Sequence, residues 1–216
     1  FAEFAEAFGA DVDTATIFET LFIAAREGAP DCGGLMAYNY LSGEPITELD
    51  EGRPLFLRSP DGSFNLATFM RTHLFASLAT LRIGMDVLQK IEGVRLERMF
   101  AHGGLFKTKG VAQNFLAAAI NTPVAVGEVA AEGGAWGIAV LAAYFVHQTG
   151  GQTLDDFLNT HVFADTDLLT VDPDPTEVAA APIADTVSGS SSPAGLVVLL
   201  LGVTSLVAAV GVSLVV

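Results

Sequence analysis

The stretch His102–Ala142 reads HGGLFKTKGVAQNFLAAAINTPVAVGEVAAEGGAWGIAVLA, and the order of signals in it decides the fold class. Val94 to Phe100 reads as a strand that runs into the turn His102-Gly103-Gly104. Gly110 to Ile120 has the spacing of a helix ending at Asn121, Pro123 opens a second strand to Val126, and Gly134 to Gln148 is a further helix. Strands alternating with helices predict an α/β layered domain. A glycine pair at a strand end lets backbone come close to a flat or anionic ligand.

Upstream, Phe1, Phe4, Ala5 and Phe8 open the chain in a helical pattern with no initiating Met and no charged leader. This reads as a truncated start and not as a signal peptide. Thr14 to Glu27 is a helix stopped near Gly28 and Pro30, and Gly33 to Tyr40 is a strand. Leu41 to Gly62 is loop, with a short strand at Leu55 to Arg58. Ser63 or Asn65 caps a long helix to about Ile91, whose apolar stripe is Phe69, Leu74, Leu78, Leu81, Met85 and Leu88. Downstream, Thr153 caps a helix with Asp155 and Asp156 in its first turn, where the helix dipole favours acids.

The net charge of −15 argues against a nucleic-acid partner, since a phosphate backbone needs clustered Lys and Arg. All ten Lys and Arg lie between Arg26 and Lys109, and six of them (Arg82, Lys90, Arg95, Arg98, Lys107, Lys109) precede Gly110 closely. Such a patch beside the glycine pair suits a small polyphosphate, and equally suits a solvated helix end. The lone Cys32 excludes an internal disulfide, fits a reducing compartment, and reads as a small buried thiol.

Beyond Val178 the composition changes. Residues 179–194 form an Ala/Ser/Pro linker, and 195–216 is a run of 22 residues without a charge. As a helix that run would span about 33 Å, enough to cross a bilayer core. Two readings stand for it: a membrane anchor, or the product of a frameshift.

Gly103 and Gly104 leave room for an adenosine face, Lys107 or Lys109 adds a cation, and Thr108 a hydroxyl. The following helix is expected to present its N-terminal amides to the same ligand. A P-loop is excluded because Phe106 stands where Gly must precede Lys-Thr, and no G-x-G-x-x-G is present. His102 reads as structural, and His73, His102, His147 and His161 share no ligand spacing with Cys32. Glu128 and Glu132 read as a loop and helix-start pair, while Gly133, Gly134 and Gly137 beside Trp136 read as a site of close helix packing.

Several segments, in order, resemble the C-terminal domain of the FGGY-family carbohydrate kinases. Tyr38-Asn39-Tyr40-Leu41-Ser42-Gly43-Glu44 resembles the family's YLSGER-like stretch, and Arg71 to Gly84 its long HLxxAxLxxLxxG-like helix. His102 to Thr108 is similar to the adenosine motif, Pro123 to Glu128 with Gly134 to Ala139 to the PVxVPE…ALGAA element, and Val171 to Pro175 to the closing VEPDP. The resemblance covers residues 1–178. It implies an actin/hexokinase-like (ribonuclease H-like) ATPase lobe, with ATP and Mg²⁺ as cofactors and a ketose or polyol, xylulose-like, as substrate. Carried over, Gly103 and Gly104 would line adenosine, Thr108 would contact adenine, and Lys107 would accompany them. It also implies that the catalytic Asp lies in a first lobe upstream of Phe1, so that this chain is inactive alone. A cytoplasmic location follows from the resemblance, and a membrane enters only through 195–216. A non-catalytic binding module of the same fold is the alternative.

Overall fold

The computed structural model describes residues 1–52, 54–127, 133–164, 168–181 and 212–215. Its elements in chain order are α1 (Ala2–Ala7), α2 (Thr14–Ala25), β1 (Leu35–Tyr38), β2 (Leu55–Arg58), α3 (Leu66–Asp86) and β3 (Arg98–Ala101). They continue with α4 (Val111–Ile120), β4 (Val124–Gly127), α5 (Gly133–His147), α6 (Leu154–Phe157), β5 (Leu168–Val171), α7 (Pro175–Ala180) and β6 (Val212–Val215).

Two helices make the core. The first, α3, starts where the Asn65 side chain accepts the Thr68 amide at 2.9 Å, and it passes into a π-helical turn over Val87–Ile91. Its stripe buries Leu74, Leu78, Leu81 and Met85 against α2 and α4. Burying a side chain of this size stabilises by roughly 1.5–3 kcal/mol, so this stripe is the main apolar contribution from one helix. The second, α4, is buried at every position except Asn114 and ends on Asn121 in the left-handed conformation. Gly28 sets the distance between α2 and α3, because a Cβ there would lie 2.8 Å from the Ala67 carbonyl oxygen.

The sheet beside α4 has the order β5-β4-β3-β6. Strands β3 and β4 are parallel, with Met99 opposite Val124 and Ala101 opposite Val126; β5 and β6 run antiparallel on the two edges. The parallel pair is joined through α4, as a β-α-β crossover requires. Gln113, buried on α4, donates from Nε2 to the carbonyls of Val124 (2.8 Å) and Leu169 (2.7 Å), and so ties β4 to β5. A separate hairpin, β1–β2, pairs Leu35 with Arg58 and Tyr38 with Leu55 and lies against α3.

Two expectations are corrected. The strand predicted over Val94–Phe100 forms only at Arg98–Ala101, because Gly93 turns with φ +68° and residues 94–97 stay outside the ladder. Gly134 and Gly137 were expected to admit a close neighbour, but a Cβ on either would meet nothing within 4 Å. The Glu128 and Glu132 pair, the linker from residue 182 and the apolar run up to residue 211 lie outside the described residues. The end of that run, Val212–Val215, is a strand. Among the described residues no helix is long and apolar enough to cross a membrane.

One buried charge holds the C-terminal part to the core. Arg71, 1% exposed on α3, pairs with Glu177 on α7, and its guanidinium lies over the rings of Phe115 (4.9 Å) and Phe75 (5.4 Å). Among the described residues its Nε has no hydrogen-bond partner. Removing one member of a buried pair leaves an uncompensated charge. Glu177→Ala is therefore expected to cost about 3 kcal/mol in urea unfolding, and the double variant Arg71→Met/Glu177→Leu clearly less. An equal or larger loss in the double variant would refute this account.

A second consequence concerns pH. His73 lies between Phe56, stacked at 5.7 Å, and Phe69, edge-on at 4.4 Å, and burial pushes its imidazole below the ordinary value of 6.5. The folded state then holds this proton more weakly than the unfolded chain. Its contribution is present above pH 6.5 and is lost as pH falls through the depressed folded value. His73→Phe is expected to flatten the fall in Tm between pH 7 and 5.5, measured by thermal scans in matched buffers.

Candidate functional site

The glycine pair stands at the carboxyl end of β3, the end of an open α/β sheet at which ligands bind. Met99 and Ala101 are buried and hold the strand in place. Gly103 then has φ 106° and ψ 174°, a conformation closed to residues with a Cβ. A single 3-10 turn, Gly104–Phe106, follows, with the Phe106 amide donating to the Gly103 carbonyl at 3.1 Å. Phe106 is buried and anchors the turn to the core.

The helix expected over Gly110 to Ile120 forms at Val111–Ile120, set off from the glycine pair by this turn. Gly110, with φ +76°, reverses the chain first, and α4 begins at Val111, whose amide already donates to the Thr108 carbonyl at 3.3 Å. The amide-presenting element next to the glycine pair is therefore the 3-10 turn and not the N-terminus of α4. The reason is local: burying Phe106 and then re-aiming the chain through Gly110 consumes the residues that a longer helix would use. Glycine directly before an apolar helical run was the available signal for that reversal.

The predicted residues are brought together on this one turn and its continuation. Gly104 is exposed, and a Cβ on it would meet nothing within 4 Å, so its face is open. Lys107 is exposed, Thr108 is half-buried, and Lys109 is exposed beside them. The wider basic patch does not assemble as a unit. Arg82 binds Asp86 at 2.8 Å and the Ala119 carbonyl at 2.5 Å, and Lys90 binds Asp86 at 3.1 Å. Ala119 is at the far end of α4, about 12 Å along the helix from Val111. These two cations therefore serve the helix end, where positive charge is favourable.

His102 is half-buried, and burial alone lowers its pKa below 6.5, which keeps the ring neutral near pH 7. Cys32 is fully buried, and its thiol is pushed up mainly by that burial. Among the described residues no three His, Cys, Asp or Glu side chains are grouped as a metal cage.

A sequence model described as the FGGY family of carbohydrate kinases, C-terminal domain, matches residues 2–146. No curated protein matches the chain in sequence. Among solved structures, the chain is similar to xylulose kinase from Rhodospirillum rubrum, at 19% identity and TM-score 0.55, over 92% of this chain and 35% of that one. It is similar to gluconate kinase from Lactobacillus acidophilus at 17% identity and TM-score 0.55, over 88% of this chain and 35% of that one. It is also similar to Plasmodium falciparum glycerol kinase with ADP at 18% identity and TM-score 0.55, over 80% of this chain and 32% of that one. The chain thus spans about a third of the length of these kinases, whose likeness at such identity shows the fold. The match over residues 2–146 takes in the core helices, β3, the glycine turn and nearly all of α5, and the chain belongs to the FGGY family of carbohydrate kinases, as its C-terminal domain.

Proposed function

We propose that this chain is the nucleotide-binding lobe of an ATP-dependent carbohydrate kinase, acting on a ketose or polyol, and that it does not turn over alone. The observation that carries the reading is the open face of Gly104 at the carboxyl end of β3, next to two exposed lysines. A flat adenosine fits against backbone that carries no side chain, and the lysines offset phosphate charge. In this reading Gly103 shapes the turn, Gly104 receives the adenosine, Thr108 offers a hydroxyl and Lys107 a cation.

The solved kinases of similar fold act on xylulose, gluconate and glycerol by name, and the last carries ADP. The common denominator is a small polyhydroxylated chain, of which a xylulose-like ketose is our reading for this protein. Phosphoryl transfer depends on positioning and on charge stabilisation. The described residues offer no metal cage of their own. In this reading a magnesium ion enters with the nucleotide phosphates. A cytoplasmic location goes with this reading.

The test is to titrate the ¹⁵N-labelled chain with ADP and map amide shifts. Changes are expected at residues 103–108, with a dissociation constant on the order of 1 mM, about 4 kcal/mol of binding. Gly104→Val is expected to abolish them while shifting stability by no more than about 0.5 kcal/mol, since the added carbons enter open space. Shifts that spare this turn, or that survive Gly104→Val, would overturn the assignment. Gly103→Ala tests the turn itself. It forces a Cβ into φ 106° and is expected to cost about 1–3 kcal/mol in urea unfolding. Coupled assays of ADP release with xylulose, gluconate and glycerol are expected to show no turnover by this chain.

A further inference from the structure

Strand β3 has two neighbours in the sheet, and they come from very different places in the chain. On one side β4 follows directly after α4; on the other lies β6, which arrives from the far end of the sequence. The ladder pairs Arg98 with Val215, Met99 with Leu214, Phe100 with Ser213 and Ala101 with Val212, so β6 covers the whole length of β3. One hydrogen bond settles which groups face it: the Met99 amide donates to the Pro123 carbonyl at 2.8 Å, toward β4. Successive residues of a strand turn their backbone groups to opposite edges, so Arg98 and Phe100 face β6. Phe100 and Ser213 are therefore a pair that exchanges both amide–carbonyl bonds, three positions before Gly103.

We propose that β6 is a detachable strap on the glycine turn: seated, it holds the carboxyl end of β3 firm, and released, it loosens that end and weakens nucleotide binding. The shape of the turn comes from Gly103 and Phe106; what β6 adds is restraint on the strand that carries them. Without it β3 becomes an edge strand bonded only to β4, and the amide and carbonyl of Phe100 lose their partners. Release is easy by construction. The strand has four residues, lies at the edge of the sheet, and is separated from α7 by residues 182–211. Release also stops at β6, because Gln113 holds β5 and the Arg71–Glu177 pair holds α7. The control of binding rests on the reading of the turn as a nucleotide site, whereas the seating of β6 is measured without nucleotide.

The experiment combines amide hydrogen exchange with ADP titration of the ¹⁵N-labelled chain. The full chain is compared with a variant ending at Val210 and with Ser213→Pro, which removes the amide opposite the Phe100 carbonyl. Ser213→Ala keeps that amide and serves as the control. In the truncated chain and in Ser213→Pro, Phe100 is expected to exchange at least about ten-fold faster than in the full chain. Met99, bonded to β4, is expected to keep its protection in every variant. The dissociation constant for ADP is expected to rise about five-fold in the same two variants and to stay unchanged in Ser213→Ala. A synthetic peptide of residues 211–216, added to the truncated chain, is expected to restore both readouts.

Unchanged exchange at Phe100 after truncation would overturn the proposal. So would tighter ADP binding without β6, which would make the C-terminal segment an obstruction of the turn. Loss of protection at Met99 together with Phe100 would make β6 an ordinary part of the core, and would overturn the proposal as well. Faster exchange at Phe100 with unchanged ADP affinity would refute the control of binding and spare the site. A chain that never binds ADP, yet releases Phe100 and holds Met99, would remove the site assignment and leave the detachable strand standing.

Discussion

The arrangement turns on the near-complete burial of α4. A ten-residue helix with one exposed position has α3 and a sheet packed on it, and its sequence VAQNFLAAAI meets that demand with alanines where backbones approach and Phe115 and Leu116 where space must be filled. The buried Gln113 is the price of a polar group in such a helix, and it is met in full by two carbonyls on different strands. Because β3 and β4 are parallel and joined through α4, the position of this helix sets where β3 ends. The end of β3 is where the glycine turn stands. Packing in the core and the placement of the candidate site are therefore one constraint and not two.

The same logic explains how the polypeptide beyond the glycine turn is tied back. Arg71 lies under two aromatic rings and reaches Glu177 on α7, which follows directly from β5, the strand that Gln113 holds from the other side. Desolvating a guanidinium is costly, and an ion pair alone rarely repays it. Here the ring faces of Phe75 and Phe115 contribute as well. The arrangement fixes which segment lies over α3, a matter that apolar packing alone leaves loosely determined.

Much of this was legible in the sequence because it is encoded locally. The Asn65 cap, the Asn121 stop and the Thr153 capping box each depend on residues within a few positions of one another. The glycine turn was legible for the same reason, since a left-handed Gly103 needs no distant partner. What escaped depends on distance. The strand Leu168–Val171 has only four residues and forms by pairing with β4, more than forty positions earlier. The separate 3-10 turn at Gly104–Phe106 escaped because Phe106 reads as part of a loop until the core that buries it is known. Trp136 with its neighbouring glycines suggested a close contact, whereas the structure puts the contact on one side of α5 and open space over Gly134 and Gly137.

That reversal bears on the glycine turn as well as on α5. Both leave surface open: a backbone face with exposed lysines at one, an uncharged apolar stripe at the other. In the function proposed above, a phosphoryl-transfer site shared between two bodies would let substrate binding set the geometry in which the phosphate moves. Such a division would require that each body be shaped in advance of the encounter. A turn fixed by one left-handed glycine and one buried phenylalanine meets that requirement: its shape is set by the chain's own core and needs no ligand to form it.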